Sequence, residues 1–355
     1  LLNGGGAPTR GLAVVAIGRN EGERLKACLR SLVGRAHPIV YVDSGSTDSS
    51  QDFARSLGVE VVDLDMTTKF TAARARNAGL ERVLALAPET RYVQFVDGDC
   101  EVRDAWLGAG AGKLDADPTL AAVSGRLRER LPEASIYNRL ADLEWERPVG
   151  EERSCGGNAM LRVEALRKVG GYDASLIAGE EPELCARLRA AGYRIWRLAD
   201  EMALHDLAMT SREQWLKRAR RHGHAMLEVS FFKGPASRGL FAGQIKSTLV
   251  WGVAWPVCVA ALAMVGVVLL ALGAWPAGGA VLGVGAGVFA LRWLQKSRMR
   301  AQARSKGLDA RAAGVYADLL LASKFANVRG MIELLAKRAR GRQSTVIDYR
   351  DAAKR

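Results

Sequence analysis

The sequence predicts an α/β domain with a Rossmann-like order of strands and helices, then a two-helix transmembrane hairpin and a basic helical tail. Three observations carry this. Short apolar runs at residues 12–17, 39–42, 59–62 and 92–96 alternate with segments of helical spacing, the order of a sheet built by right-handed crossovers. Residues 247–291 contain no charged side chain, whereas a bilayer span needs only about 20 apolar residues. Residues 292–355 hold 16 Lys and Arg against 5 Asp and Glu, so most of the net charge of +13 follows the apolar stretch.

In chain order, residues 1–10 read as a flexible leader. They are glycine-rich, lack the basic-then-apolar pattern of a signal peptide, and show no initiator Met, which points to a start further upstream. Residues 11–235 make the α/β domain. Its first strand runs into Gly18-Arg19-Asn20-Glu21 and a helix to about Val33, with Leu25, Cys28, Leu29 and Leu32 at helical spacing. The strand at 39–42 runs into Asp43-Ser44-Gly45-Ser46-Thr47-Asp48, whose polar side chains suit the start of a helix at 49–57. A strand at 59–62, a helix at 71–86 and the strand entering Asp97 extend what reads as a parallel sheet. The three-glycine dinucleotide fingerprint is absent after the first strand, which argues against a dehydrogenase.

From 104 to 154 the pattern loosens to a strand at 120–127 and a helix near 135–145. Gly156-Gly157 marks backbone that must pass close to something. A helix at 163–169 ends on Gly170-Gly171, and Gly179-Glu180-Glu181-Pro182-Glu183 opens another with Pro in its first turn. A strand at 193–198 and a basic helix at 211–228 complete the domain.

The hairpin occupies residues 246–292, with helices at 249–273 and 275–291. Lys246 on one flank and Arg292, Lys296, Arg298 and Arg300 on the other put both flanks in the cytoplasm. The expected location is therefore the inner (plasma) membrane, with the α/β domain and the tail cytoplasmic. The tail, residues 293–355, mixes Val315, Leu319, Leu320, Phe325, Val328, Ile332 and Leu335 with its bases, as amphipathic helices on a membrane surface do. Its adjacency to the apolar stretch favours anionic membrane lipids over nucleic acid as the partner of the basic patch. The five cysteines are widely spaced, without disulfide or zinc spacing, and fit a reducing compartment.

The chemistry concentrates at a few places. Asp97-Gly98-Asp99 closes a buried strand, where open α/β sheets bind ligands, and two carboxylates there suit a hard divalent cation. The plain alternative is a solvated acidic turn. Glu180, Glu181 and Glu183 are either acids favoured by a helix start or reacting groups. Arg218 and Arg221 are either a solvated basic face or phosphate ligands.

These motifs together resemble the family 2 glycosyltransferases of the GT-A fold, nucleotide-diphospho-sugar transferases, over roughly residues 11–232. The resemblance rests on Arg19-Asn20-Glu21, Val42 to Asp48, Ala75-Arg76-Asn77-Ala78-Gly79, Asp97-Gly98-Asp99, Gly157-Asn158, and Glu180-Glu181 followed by Leu184 and Arg187. It implies inverting transfer of a sugar from a nucleotide-diphosphate donor. It puts Asn20, Glu21, Asp43, Arg76, Asp97, Gly157, Arg218 and Arg221 at the nucleotide sugar, with Asp48 structural. It assigns Asp97, Asp99 and His205 to a Mn2+ or Mg2+ ion. The general base is implied to be Glu181, with Glu180 as the fallback, where the family more often has Glu-Asp. Ser44 stands where many members carry a second Asp.

Gln214-Trp215-Leu216-Lys217-Arg218 is not the Gln-x-x-Arg-Trp of the processive synthases, and two spans leave no room for a polymer channel. The expectation is thus non-processive transfer to a lipid-linked, undecaprenyl-type acceptor in exopolysaccharide or envelope glycan assembly. Transfer to polyprenyl phosphate is the close alternative. A non-catalytic membrane scaffold of the same fold is the alternative from another class. A nucleotidyltransferase would need a glycine-rich basic loop after the first strand, which Gly18-Arg19-Asn20-Glu21 does not supply.

Overall fold

The structure, a computed structural model, describes residues 10–68 and 70–341. All but Arg10 of the expected leader, and the end of the basic tail, lie outside them. Two compact units emerge, Leu1–Thr210 with Lys233–Arg238, and Ser211–Phe232 with Gly239–Arg355.

The first unit contains β1 (Leu12–Gly18), α1 (Glu23–Arg30), β2 (Ile39–Asp43), α2 (Ser50–Ser56), β3 (Glu60–Asp63), α3 (Ala72–Leu86) and β4 (Tyr92–Asp97). After these come β5 (Cys100–Val102), α4 (Trp106–Ala116), β6 (Leu120–Glu129), α5 (Ile136–Trp145), β7 (Gly150–Glu151), β8 (Ala159–Arg162), α6 (Val163–Val169), α7 (Glu180–Ala190) and β9 (Arg194–His205). The strands form one sheet in the order β3-β2-β1-β4-β8-β6-β9-β5, with β7 on β9. β1 lies between β2 and β4, and residues 12–16 of it are wholly buried. This burial on both faces is why its sequence shows an unbroken apolar run rather than alternation.

The sheet is parallel from β3 to β4 and again between β6 and β9. β8 enters antiparallel between β4 and β6, so the expected parallel sheet is a mixed one. A parallel pair needs a crossover connection, supplied by α1, α2 and α3 between β1 and β4, and by the long connection through α5, α6 and α7 between β6 and β9. α4 was not expected from the sequence, because Gly108, Gly110 and Gly112 dilute its helical pattern. The glycine at 110 has a packing reason: a Cβ there would stand 3.0 Å from Met160 Cε on β8.

α3 starts on Thr71, whose hydroxyl accepts from the Arg74 N–H, a side-chain N-cap. Gly79 lets this helix settle on β1, since a Cβ would fall 2.3 Å from Val15 Cγ1.

The second unit is helical. α8 (Arg212–Phe232) is followed by α9 (Ala242–Leu249), which runs through a π turn at Val250–Ala254 into α10 (Trp255–Ala271). α11 (Trp275–Ser305) and α12 (Ala310–Ala339) complete it. α8 and α12 touch backbone to backbone. A Cβ on Gly223 would stand 2.1 Å from the Asn327 carbonyl, and one on Gly330 would stand 2.0 Å from the Arg220 carbonyl. Arg220 pairs with Glu333 across the same seam at 2.6 Å. α12 thus buries Leu319, Leu321, Met331 and Leu334 inside the protein while Phe325, Ile332 and Leu335 stay exposed.

Two helices, Ala242–Ala271 and Trp275–Ser305, are long and apolar enough to cross a membrane, and only 6% of each apolar window is buried by protein. A core helix of a soluble protein would be mostly covered, so these apolar surfaces are consistent with membrane association. α11 continues past the expected end at 291 to Ser305, its charged final turns pairing with α12 through Lys296 and Asp318.

The Gly79 contact gives a stability test. Gly79→Ala forces a methyl into Val15, and overpacking of this kind costs about 1–3 kcal/mol. The measurement is the thermal unfolding midpoint of the purified protein, expected to fall below that of the parent chain.

Candidate active site

The centre of the site is Arg76 on α3, only 2% exposed. A guanidinium stays charged wherever it is put, so burying it requires carboxylates close by. Three answer. Nη2 donates to Asp97 Oδ1 at 3.0 Å, Nη1 donates to Glu180 Oε1 at 3.0 Å, and Glu181 Oε1 lies 3.5 Å from Nη1. The guanidinium also lies 5.5 Å from the Tyr172 ring centroid. Burial works against its charge, but Asp97 and the glutamates outweigh it and hold its pKa above the ordinary value.

Each partner is fixed by the fold. Asp97 is the last residue of β4, and its N–H donates to Asn158 Oδ1 at 3.0 Å. Glu180 and Glu181 open α7, where the positive end of the helix favours acids. Asn77, next to Arg76, holds both backbone groups of Tyr172: its Nδ2 donates to the carbonyl at 2.8 Å and its Oδ1 accepts from the N–H at 2.9 Å. Gly157 is the close approach that the glycine pair foretold. A Cβ there would lie 2.5 Å from Arg76 Nη2 and 3.0 Å from both Asp97 Oδ2 and Glu181 Oε1.

Of the two glutamates, Glu180 is buried against Arg76, whereas the Glu181 side chain keeps 18% exposure. Burial and the neighbouring Glu180 push the Glu181 pKa up to about 7.

The second cluster lies where β5 pairs with β9 and Cys100 stands opposite His205. Asp99 is 3% exposed, and its Oδ2 lies 3.2 Å from His205 Nε2. Trp145 stacks on the imidazole at 4.7 Å between centroids. One ligand atom each from Asp99, Cys100 and His205 falls within 4.8 Å of the others, an arrangement that can hold a metal ion. Burial and the charges of Asp99 and Asp97 raise the Cys100 thiol well above its usual pKa. The carboxylate oxygen of Asp99 and the imidazole nitrogen of His205 are donors that fit a divalent cation. Asp97 does not belong to this cluster: its Oδ1 accepts from Arg76.

Asn20, Glu21 and Asp43 organise the loops after β1 and β2. Asn20 sits at φ 54°, its N–H donating to Ser46 Oγ at 2.9 Å and its Oδ1 accepting from the Thr47 N–H at 2.7 Å. Glu21 pairs with Arg24 at 2.8 Å. Buried Asp43 accepts from the Tyr41 hydroxyl, the Gly45 and Ser46 N–H groups and Gln51 Nε2. Burial acts to raise its pKa, but these donors, Ser46 foremost, prevail and lower it. Asp48 accepts from the Gly22 and Ser50 N–H groups, the structural role expected of it. Arg218 and Arg221 lie on α8 in the second unit. Sequence reasoning passed over Cys100 and Tyr172, and only the β5–β9 register and the Asn77 contacts reveal them.

Residues 14–170 match the family model described as Glycosyl transferase family 2. The chain is 29% identical over 193 residues to a succinoglycan biosynthesis protein, ExoA, of Rhizobium meliloti, covering 50% of this chain and 57% of that protein. It is 29% identical over 232 residues to a pre-mycofactocin glycosyltransferase of Mycobacterium tuberculosis, covering 61% and 47% respectively. The chain thus spans about half the length of the curated relatives it matches. Among solved structures, the mannosyltransferase PcManGT of Pyrobaculum calidifontis, in complex with GDP-Man and Mn2+, superposes with a TM-score of 0.55 at 20% identity, covering 89% of this chain and 86% of that one. That likeness establishes the fold. Residues 14–170 are thus similar to the family 2 glycosyltransferases, and the chain shares its fold with the Pyrobaculum mannosyltransferase.

Proposed function

We propose that the protein transfers a single sugar from a nucleotide-diphosphate donor to a membrane lipid-linked acceptor, with inversion, in exopolysaccharide or cell-envelope glycan assembly. The observation that carries this is the carboxylate arrangement at the end of β4: Asp99 against His205 at 3.2 Å, and Glu181 at the mouth of the Arg76 cluster. The relatives support the reading through a succinoglycan biosynthesis protein and a pre-mycofactocin glycosyltransferase, and the Pyrobaculum structure through its GDP-Man and Mn2+. Residues 11–235 would be the catalytic domain, 246–292 the membrane hairpin and 293–355 a cytoplasmic basic tail at the inner membrane.

Asp99 and His205 would hold the cation, and their mixed oxygen and nitrogen donors suit Mn2+ better than Mg2+, which prefers oxygen alone. When bound, the ion offsets the charge that grows on the departing diphosphate. Glu181 takes the proton from the acceptor hydroxyl. The acceptor oxygen forms its bond to the anomeric carbon as the bond to the diphosphate oxygen breaks, and the nucleoside diphosphate leaves with that electron pair. Arg76 holds Glu180 and Asp97, which keeps Glu181 the carboxylate that exchanges its proton. Asn20 and Asp43 shape the loops that would face the nucleotide.

The two apolar helices also suit transfer to polyprenyl phosphate itself. Incubation of the purified protein with UDP-, GDP- and dTDP-sugars, polyprenyl phosphate and a polyprenyl-diphosphate sugar separates the two acceptors. Release of nucleoside diphosphate only with added metal is the expected result. No release with any donor and acceptor would favour the non-catalytic scaffold.

Two measurements assign the residues. Asp99→Asn is expected to raise the Mn2+ concentration for half-maximal turnover by about 10–100-fold, and an unchanged metal titration would remove Asp99 from the ion. A base must be deprotonated, so with Glu181 raised to about 7 activity is present above that pH and lost as pH falls through it. Below it, kcat/KM should drop about tenfold per pH unit. Glu181→Gln should lose transfer at every pH while still binding donor.

A further inference from the structure

A cavity of about 530 Å³ lies entirely within the second unit, among α8, α11 and α12. Arg212, Arg292 and Lys296 bring three cations to it, against the one carboxylate of Asp318. Much of the remaining lining is apolar, with Phe289, Trp293 and Phe325 the largest side chains. The Arg292 guanidinium lies over the rings of Trp255, at 4.6 Å, and Phe325, at 5.2 Å, and its buried Nη1 has no hydrogen-bond partner among the described residues. A buried guanidinium N–H without an acceptor is an anion site waiting for an oxygen.

The position of the cavity along the hairpin narrows the anion. Trp275 and Trp293 project from the two ends of the apolar part of α11, 68% and 67% exposed. At 1.5 Å per residue they stand about 27 Å apart, close to the ~30 Å of a hydrocarbon core, and tryptophans favour its two boundaries. Arg292, Trp293 and Lys296 therefore stand at the level of the headgroups. A ligand that meets three cations and an aromatic wall at that depth carries phosphate oxygens on an apolar chain.

We propose that this cavity binds the phosphate headgroup and adjoining chain of one membrane amphiphile, either a polyprenyl phosphate or an anionic phospholipid. The proposal rests on the membrane-anchored part of the reading above, and not on the sugar chemistry.

The test uses the full chain in phosphatidylcholine nanodiscs doped with polyprenyl phosphate, phosphatidylglycerol or, as the phosphate-free control, the polyprenol. Native mass spectrometry counts the lipids retained. The expected result is one retained phosphate lipid per chain and none of the polyprenol, with retention about tenfold weaker in Arg292→Gln. Asp318→Asn, which frees Lys296 at an exposed position, should retain the lipid more strongly and reads the same site should Arg292→Gln fail to fold. Stronger retention of polyprenyl phosphate identifies an acceptor-type ligand, and equal or stronger retention of phosphatidylglycerol identifies a bound membrane lipid. Equal retention of the polyprenol, retention unchanged in both variants, or displacement by soluble nucleoside diphosphate would overturn the proposal. Glu181→Gln should lose transfer yet keep the lipid, so failure of the catalytic reading and failure of this one are read separately.

Discussion

The α/β half of the molecule depends on one buried positive charge. Arg76 is too deep to be solvated, so the chain must deliver carboxylates to it, and it does so from β4 and from the first turn of α7. Removing one partner of a buried pair of this kind typically costs about 3–5 kcal/mol, so these segments are tied to one another. The glycine at 157 follows from the same constraint, because any side chain there would displace the guanidinium or a carboxylate. Three acids around one cation leave negative charge uncompensated. Glu181, pushed up by its burial and by neighbouring Glu180, accommodates it by holding its proton up to about pH 7. One packing requirement thereby produces a group with the proton affinity of a general base.

Asp97 and Asp99 show how adjacent positions in a motif come to do different work. In a continuous strand, residues two apart share a face, and the pair would be read as one acidic clamp. Here the chain turns after β4. Asp97 goes to Arg76, while Asp99 goes to His205 on a strand that arrives a hundred residues later. The sequence displays the acids and hides the division between them, because the division is made by long-range pairing.

That distinction sets how far the sequence could be read. The strands β1, β2 and β4 were legible because burial on both faces leaves a continuous apolar run, and the long apolar helices because a charge-free stretch of this length stands out in the sequence. The candidate site residues were singled out by the order of short motifs. The mixed sheet, α4 and the partners of Arg76 were not. β8 is four residues long, and α4 carries three glycines, one of which serves contact with β8. Arg76 meets its carboxylates 21 and 104 positions away. Local pattern reports which face is buried, and it has no access to what is buried against it.

The second unit answers a different electrostatic problem with the opposite sign. α10 and α11 carry no charge until Arg292, and two of the cations that follow are engaged within the unit: Lys296 pairs with Asp318, and Arg292 lies against Trp255 and Phe325. A basic helix meant only for nonspecific attraction to a lipid surface gains by leaving its side chains free in water, where each adds independently. Setting a guanidinium against aromatic rings gives up part of that hydration, which the rings partly offset, and holds its buried N–H in a fixed direction that suits an anion of defined shape. The phosphate-binding reading of the α8–α11–α12 cavity thus follows from how the charge is buried, rather than from how much charge there is.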